Sequence, residues 1–108
     1  MLSHLENGWQ VDQAILSEED KAVVIRFGHD WDPQCMKMDE TLYSIAEKCK
    51  NFVVIYLVDI TEVPDFNKMY ELYDPCTIMF FFRLVQSFGG CLFGVCQLNV
   101  FQEQAHND

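Results

Sequence analysis

The sequence predicts an α/β domain built on a parallel or mixed sheet. Two observations carry this. Three short apolar runs, Ala22 to Phe27, Phe52 to Val58 and Thr77 to Phe82, are rich in β-branched and aromatic residues and have the length of buried strands. Before and between them, apolar residues recur at helical spacing. The chain has 108 residues, room for one small domain, and half of them are apolar, enough to fill a core. Such domains are stable by only ~5–15 kcal/mol, so losing one core element is enough to unfold them.

The first helix is expected from Asn7 to Leu16, with Val11, Ala14 and Ile15 on its apolar side and Asn7 as its cap. Ser17 to Asp20 is a charged turn. Ala22 to Phe27 is a strand stopped by Gly28, and His29 to Gln34 a loop. From Cys35 to Lys50, the residues Cys35, Met38, Leu42, Ile45, Ala46 and Cys49 describe one face of a second helix. Phe52 to Val58 is the next strand, ending at Asp59. Two such strands joined by a helix make a right-handed parallel βαβ unit. Thr61 to Asp65 reads as a helix start with Pro64 in its first turn. Phe66, Met69, Tyr70 and Tyr73 would supply its buried face before Asp74-Pro75 breaks it. Thr77 to Phe82 is the third strand.

After Arg83 the texture changes. From Leu84 to Gln102 no side chain is ionisable except those of Cys91 and Cys96, and Gly89, Gly90 and Gly94 interrupt the run. Cys91 to Val95 and Leu98 to Phe101 have strand composition and suit a hairpin or a substitute strand. The same composition suits an aggregation-prone tail. The last residues are polar and are expected to fray.

The net charge of −10 and the absence of a basic run argue against a phosphate-tracking surface. The balance suits basic protein partners or a solvated acidic face. The N-terminal residues Met1 to Glu6 lack a basic stretch followed by a long apolar one, which argues against a secretory signal and for reduced thiols. No apolar run approaches the ~20 residues of a membrane span. Cys91 and Cys96, five apart, exceed the usual zinc-ligand spacing, and His106 is a poor third ligand, so no metal and no cofactor is expected. Asp30, Asp32 and Asp39 could do acid–base work, but no companion nucleophile accompanies them, and a solvated acidic rim is the plainer reading. The aromatic residues, Trp9 included, are expected mostly in the core. Trp31, in its acidic loop, is equally suited to burial or to anchoring a partner.

The order strand, loop, cysteine, helix, strand, helix, strand resembles thioredoxin. Trp31-Asp32-Pro33-Gln34-Cys35 stands where thioredoxins carry Trp-Cys-Gly-Pro-Cys. The resemblance implies that Asp32 replaces the attacking cysteine, whose exposed thiolate the exchange reaction needs. Cys35 then corresponds to the resolving thiol. Cys76, ahead of Thr77, takes the place of the proline that packs against the active-site sulfurs. The resemblance thus brings Cys35 and Cys76 together, within the roughly 7 Å between Cα atoms that a disulfide requires. They are either two buried reduced thiols or a reversible lock.

Longer blocks narrow the resemblance. Asn7 to Ile15, Val24 to Asp32, Cys35 to Asp39, Tyr56 to Asn67 and Met69 to Thr77 are similar to the Dim family, thioredoxin-like spliceosomal proteins of the U5 snRNP, and the likeness runs through Arg83. It implies a three-layer thioredoxin-like domain with a central mixed sheet. It also implies a nuclear, non-catalytic component of the U5 snRNP and the U4/U6.U5 tri-snRNP, acting in pre-mRNA splicing as a docking surface for splicing proteins and RNA. No membrane and no small-molecule substrate come with it. Trp31, Asp32 and Cys35 would mark a contact edge. Family members continue with a strand, a closing helix and a basic end, whereas this chain turns to Leu84-Val85-Gln86-Ser87, as though an alternative exon or a shifted frame supplied the ending. Residues 1–83 are therefore expected to form a domain incomplete at its C-terminal end, with 84–108 a divergent tail. Ile78 to Phe82 would then be a bare hydrophobic edge. The alternatives are a thioredoxin-type thiol–disulfide oxidoreductase and a truncated variant impaired in snRNP assembly.

Overall fold

A computed structural model describes residues 2–18, 20–68, 72, 75–85 and 91–99, the final strand by its backbone alone. In chain order the elements are β1 (Ser3–Leu5), α1 (Gly8–Ser17), β2 (Ala22–Gly28), α2 (Pro33–Lys48), β3 (Val53–Asp59), a 3₁₀ turn (Pro64–Phe66), β4 (Thr77–Val85) and β5 (Cys91–Asn99).

Each helix starts where its cap dictates. The Asn7 carboxamide accepts from the Gln10 N–H at 2.8 Å, and the Gln10 side chain accepts from the Glu6 N–H at 2.7 Å, a reciprocal closure of the first turn. At α2 the Asp32 carboxylate accepts from the Gln34 N–H at 2.9 Å, and Pro33 takes the first helical position, where no N–H is needed. The helix therefore begins two residues before the expected Cys35.

β2 is the central strand. It pairs parallel with β3, Ile25 opposite Tyr56, and antiparallel with β4, Ile25 opposite Met79. β1 adds parallel to the far side of β3, giving the sheet order β1-β3-β2-β4-β5. Strand alternation sorts the core into two layers. Val23, Ile25, Phe27, Met79 and Phe81 pack with Val11 and Ile15 of α1. Val24, Ile55 and Ile78 pack with Cys35 and Leu42 of α2, and Cys76 joins them. At roughly 25 cal/mol per Å² of apolar surface, each layer supplies many kcal/mol against chain entropy. The result is the expected three-layer α/β arrangement on a mixed sheet.

Several expectations change. β1 was not foreseen, because three residues are too few to show a period. Trp9 is 70% exposed, since α1 turns only Val11 and Ile15 fully inward. Phe52 is also exposed and belongs to the turn before β3; its carbonyl accepts from the Ala22 N–H at 3.0 Å. Among the described residues, the start expected at Thr61 is a turn capped by the Asp59 carboxylate, which accepts from the Thr61 and Glu62 N–H groups, followed by the short 3₁₀ turn. Met69, Tyr70 and Tyr73 lie outside the described residues.

The expected bare edge at Ile78 to Phe82 is corrected. β5 pairs antiparallel with the whole of β4, from Thr77 opposite Asn99 to Val85 opposite Cys91. Residues Cys91–Asn99, expected as part of a hairpin or as a substitute strand, form one strand on β4 and supply the ladder that the domain was expected to lack; Val100 and Phe101 lie outside the described residues. Residues 100–108, where a closing helix would follow, lie outside the described residues. A chain stopped after Val85 is expected to expose the β4 ladder, melt ~10 °C lower or more, and scatter light on warming; parallel dichroism and light-scattering melts of the two chains check this.

Candidate functional site

A single charge stands inside β2. The Arg26 side chain is fully buried on the α2 side of the sheet, and its carboxylate partners come from other elements. From α2, Asp39 accepts from Nε at 3.0 Å and from Nη2 at 3.2 Å. From the loop after β2, Asp30 accepts from Nη2 at 2.5 Å. The other Asp30 oxygen lies 2.6 Å from Nε2 of His4 on β1. Asp30 and Asp39, expected as a solvated rim, are therefore the counter-charges of a buried guanidinium. The sign that sequence reading passed over was a lone arginine within an otherwise apolar strand.

Burial by itself would lower the Arg26 pKa, but Asp30 and Asp39 outweigh it and the group stays charged. At Asp30 the bonds from Arg26 and His4 overcome partial burial and hold the carboxyl below its usual value. At Asp39 burial prevails over Arg26 and raises it.

Next to this network lies the cysteine pair. Cys35, in the first turn of α2, and Cys76, just before β4, are both fully buried free thiols. The Cys35 thiol donates to the Pro75 carbonyl at 3.2 Å. The Cys76 thiol, hydrogen-bonded to the Cys35 sulfur, is the largest influence lowering the Cys35 pKa to about 7; burial opposes it, and the His29 backbone and Arg26 assist. The proton stays with Cys76, whose pKa rises. Gly28 makes room for the sulfur: a Cβ there would collide with Cys35 Sγ and lie 2.8 Å from the Pro75 carbonyl. The structure thus places the Cys35 sulfur against Cys76.

Asp32 and Trp31 point in different directions chemically. Asp32 spends its carboxylate on the α2 N-terminus, receiving the Gln34 and Cys35 N–H groups. Trp31 is 71% exposed and stacks on the His29 ring, centroids 4.7 Å apart and planes 15° apart. His29 Nδ1 lies 3.2 Å from the Asp59 carboxylate but outside hydrogen-bond alignment. Beside the loop there is therefore an outward aromatic platform and an inward, sealed sulfur. Among the described residues no group of three His, Cys, Asp or Glu side chains is placed to hold a metal ion. The side chains of Cys91, Cys96 and His106 lie outside that set.

The DIM1 family, described as mitosis protein DIM1, matches residues 1–87. The chain belongs to the DIM1 family. It is 71% identical over 82 residues to mitosis protein dim1 of Schizosaccharomyces pombe, a match covering 76% of this chain and 58% of that one. It is 61% identical over 83 residues to the spliceosomal protein DIB1 of Saccharomyces cerevisiae, covering 77% of this chain and 58% of that one. The matches thus span less than two thirds of these DIM1 relatives. Among solved structures the chain is similar to chloroplastic thioredoxin z, with a TM-score of 0.68, 22% identity and coverage of 97% of this chain and 89% of that one. It is likewise similar to Fasciola hepatica thioredoxin, with a TM-score of 0.67, 14% identity and coverage of 97% and 95%. The fold of this DIM1-family chain is that of thioredoxin.

Two outcomes follow. Asp39→Ala leaves Arg26 buried without its bidentate partner and is expected to cost about 3–5 kcal/mol in denaturant unfolding, whereas Asp30→Ala, at a half-exposed carboxylate, costs about 1 kcal/mol or less. In ultraviolet thiolate titration, one cysteine is expected to ionise near pH 7, and Cys35→Ser removes that step.

Proposed function

We propose that this chain is a non-catalytic, nuclear component of the U5 snRNP and the U4/U6.U5 tri-snRNP, acting in pre-mRNA splicing as a docking scaffold for other splicing proteins. The observation that carries the reading is chemical. The position of the attacking thiol holds Asp32, whose carboxylate caps α2, and the remaining Cys35 sulfur is fully buried. Disulfide exchange begins with an accessible thiolate on the substrate sulfur. Here the low-pKa sulfur faces Pro75 and Cys76, so the loop serves structure. The name of the yeast relative, spliceosomal protein DIB1, supports the cellular setting.

In this reading Trp31, stacked on His29 and open to solvent, is the anchor of the contact edge, and Asp32 fixes the loop that presents it. Cys35 and Cys76 form a reversible lock: a two-electron oxidant would take both thiols to a disulfide with release of two protons and tie α2 to β4. Residues 1–83 carry the docking function, and 84–108 form a divergent tail. Partners are proteins of the particle, with snRNA contact made mainly through them, since the chain is strongly acidic. A second reading, a variant impaired in assembly, is favoured by the family match stopping at residue 87.

Affinity purification of the tagged chain from nuclear extract tests this. U5 and tri-snRNP proteins are expected to co-purify, Trp31→Ala is expected to lower their recovery several-fold with an unchanged melt, and the chain is expected to leave insulin disulfides unreduced. Catalytic insulin reduction would overturn the non-catalytic reading. Recovery of snRNP proteins only after the tail is exchanged for a family-type ending would establish the impaired variant.

A further inference from the structure

α2 covers β2 and β3 but leaves the edge strand β1 open on its side of the sheet. The opening is a trough of about 690 Å³, floored by Leu2, His4 and Leu57 and walled by Met36, Glu40 and Tyr43 of α2. A second hollow shares Leu2 and Tyr43 and carries the trough on past Ala46 and Glu47 to Lys50. Positions 36, 40, 43 and 47 form one stripe along the helix, so the wall from Met36 to Glu47 runs for roughly 17 Å. That length matches about five residues of extended chain.

Three features define what fits. First, β1 is the edge strand of the described sheet: it pairs with β3 on one side, and its outer ladder of N–H and C=O groups is open to an added strand. Second, Met36 and Tyr43 stand about half exposed at the trough, and such residues are enriched at protein interfaces. Third, the wall is acidic. Glu40 and Glu47 are exposed and form no ion pair among the described residues, Asp39 is held by Arg26, and Lys50, at the far end, is the one lysine or arginine among the described lining residues. A nucleic-acid backbone would meet like charge here, and so would a second copy of a chain whose net charge is −10.

We propose that this trough docks an extended segment of a partner protein that alternates basic with apolar residues, its apolar side chains lying over Leu2, Met36 and Tyr43 and its cations reaching Glu40 and Glu47. The proposal rests on the docking reading above and assigns it a second surface, apart from Trp31.

The test is an NMR titration of the full ¹⁵N-labelled chain with an octapeptide alternating Arg or Lys with Val or Leu, against the same peptide carrying Glu at the basic positions. Expected are saturable shifts confined to Ser3–Leu5 and the Met36–Lys50 side of α2, none with the acidic peptide, and at least tenfold weaker binding for E40K/E47K with an unchanged melt. Absent or scattered shifts, shifts centred on Trp31, equal binding by E40K/E47K, or shifts that appear with protein concentration alone would each overturn it. A chain that brings down snRNP proteins yet ignores the peptide sinks the trough only. One that binds the peptide at this site but recovers no snRNP proteins sinks the splicing reading only.

Discussion

The buried charge of Arg26 is the constraint around which this domain is arranged. A guanidinium at the centre of a sheet, cut off from water, is stable only if counter-charges are held against it. Asp39 provides one from α2 and Asp30 another from the loop after β2, and Asp30 in turn holds His4 of β1. β1, α2 and β2 with the loop after it are thus linked through one network of charges. The tie joins the loop that carries Trp31, and through His4 the short strand β1, to the centre of the sheet. It also reaches the sulfurs. Arg26 Nη1 makes no hydrogen bond among the described atoms and lies 3.4 Å from where a Gly28 Cβ would stand, on the side of the Cys35 sulfur, so its charge adds to the forces that favour the Cys35 thiolate.

That arrangement has the electrostatics of an active thiol without access to it. A thiolate near neutral pH, a donor beside it and a nearby cation are the ingredients of reactive cysteines. Yet Cys35 is enclosed by Gly28, Pro75 and Cys76, and the residue that would sit outside as the attacker is a carboxylate committed to the helix N-terminus. Asp32 suits that role well: a carboxylate receives the free N–H groups of a first turn and complements the helix dipole. In this loop the Asp32 carboxylate serves as a helix cap.

How far the sequence disclosed this depended on how many residues each feature spans. β2 and β3 read clearly because their apolar runs are continuous, and the first helix because Asn7 marks its start; the second showed its apolar face but not its start, since Asp32 and Pro33 read as loop. β1 did not, being shorter than any period. β5 was ambiguous because glycines and cysteines replace the alternation that would identify a strand. Trp9 misled because its spacing suited a core position, yet on the short helix α1 Val11 and Ile15 alone face fully inward. Asp30 and Asp39 misled for another reason: nothing local distinguishes a solvated carboxylate from one that neutralises a residue thirteen positions away. Only the isolated Arg26 within Val23 to Phe27 signalled that a partner must exist.

Neutralisation inside the domain shapes what is left outside. Arg26 is matched within the fold, so the excess negative charge of the chain resides on its surface, where Glu40, Glu47 and their neighbours meet solvent. Three of the large side chains left uncovered, Trp31 on the loop and Met36 and Tyr43 on α2, lie on the elements that carry Asp30, Asp32, Glu40 and Glu47. Apolar anchors set in a field of one sign favour partners of the opposite sign and hasten their encounter, and both effects weaken with salt. A thioredoxin fold whose Cys35 sulfur is enclosed and whose aromatic and acidic side chains face outward therefore presents a surface suited to partners of complementary shape and charge.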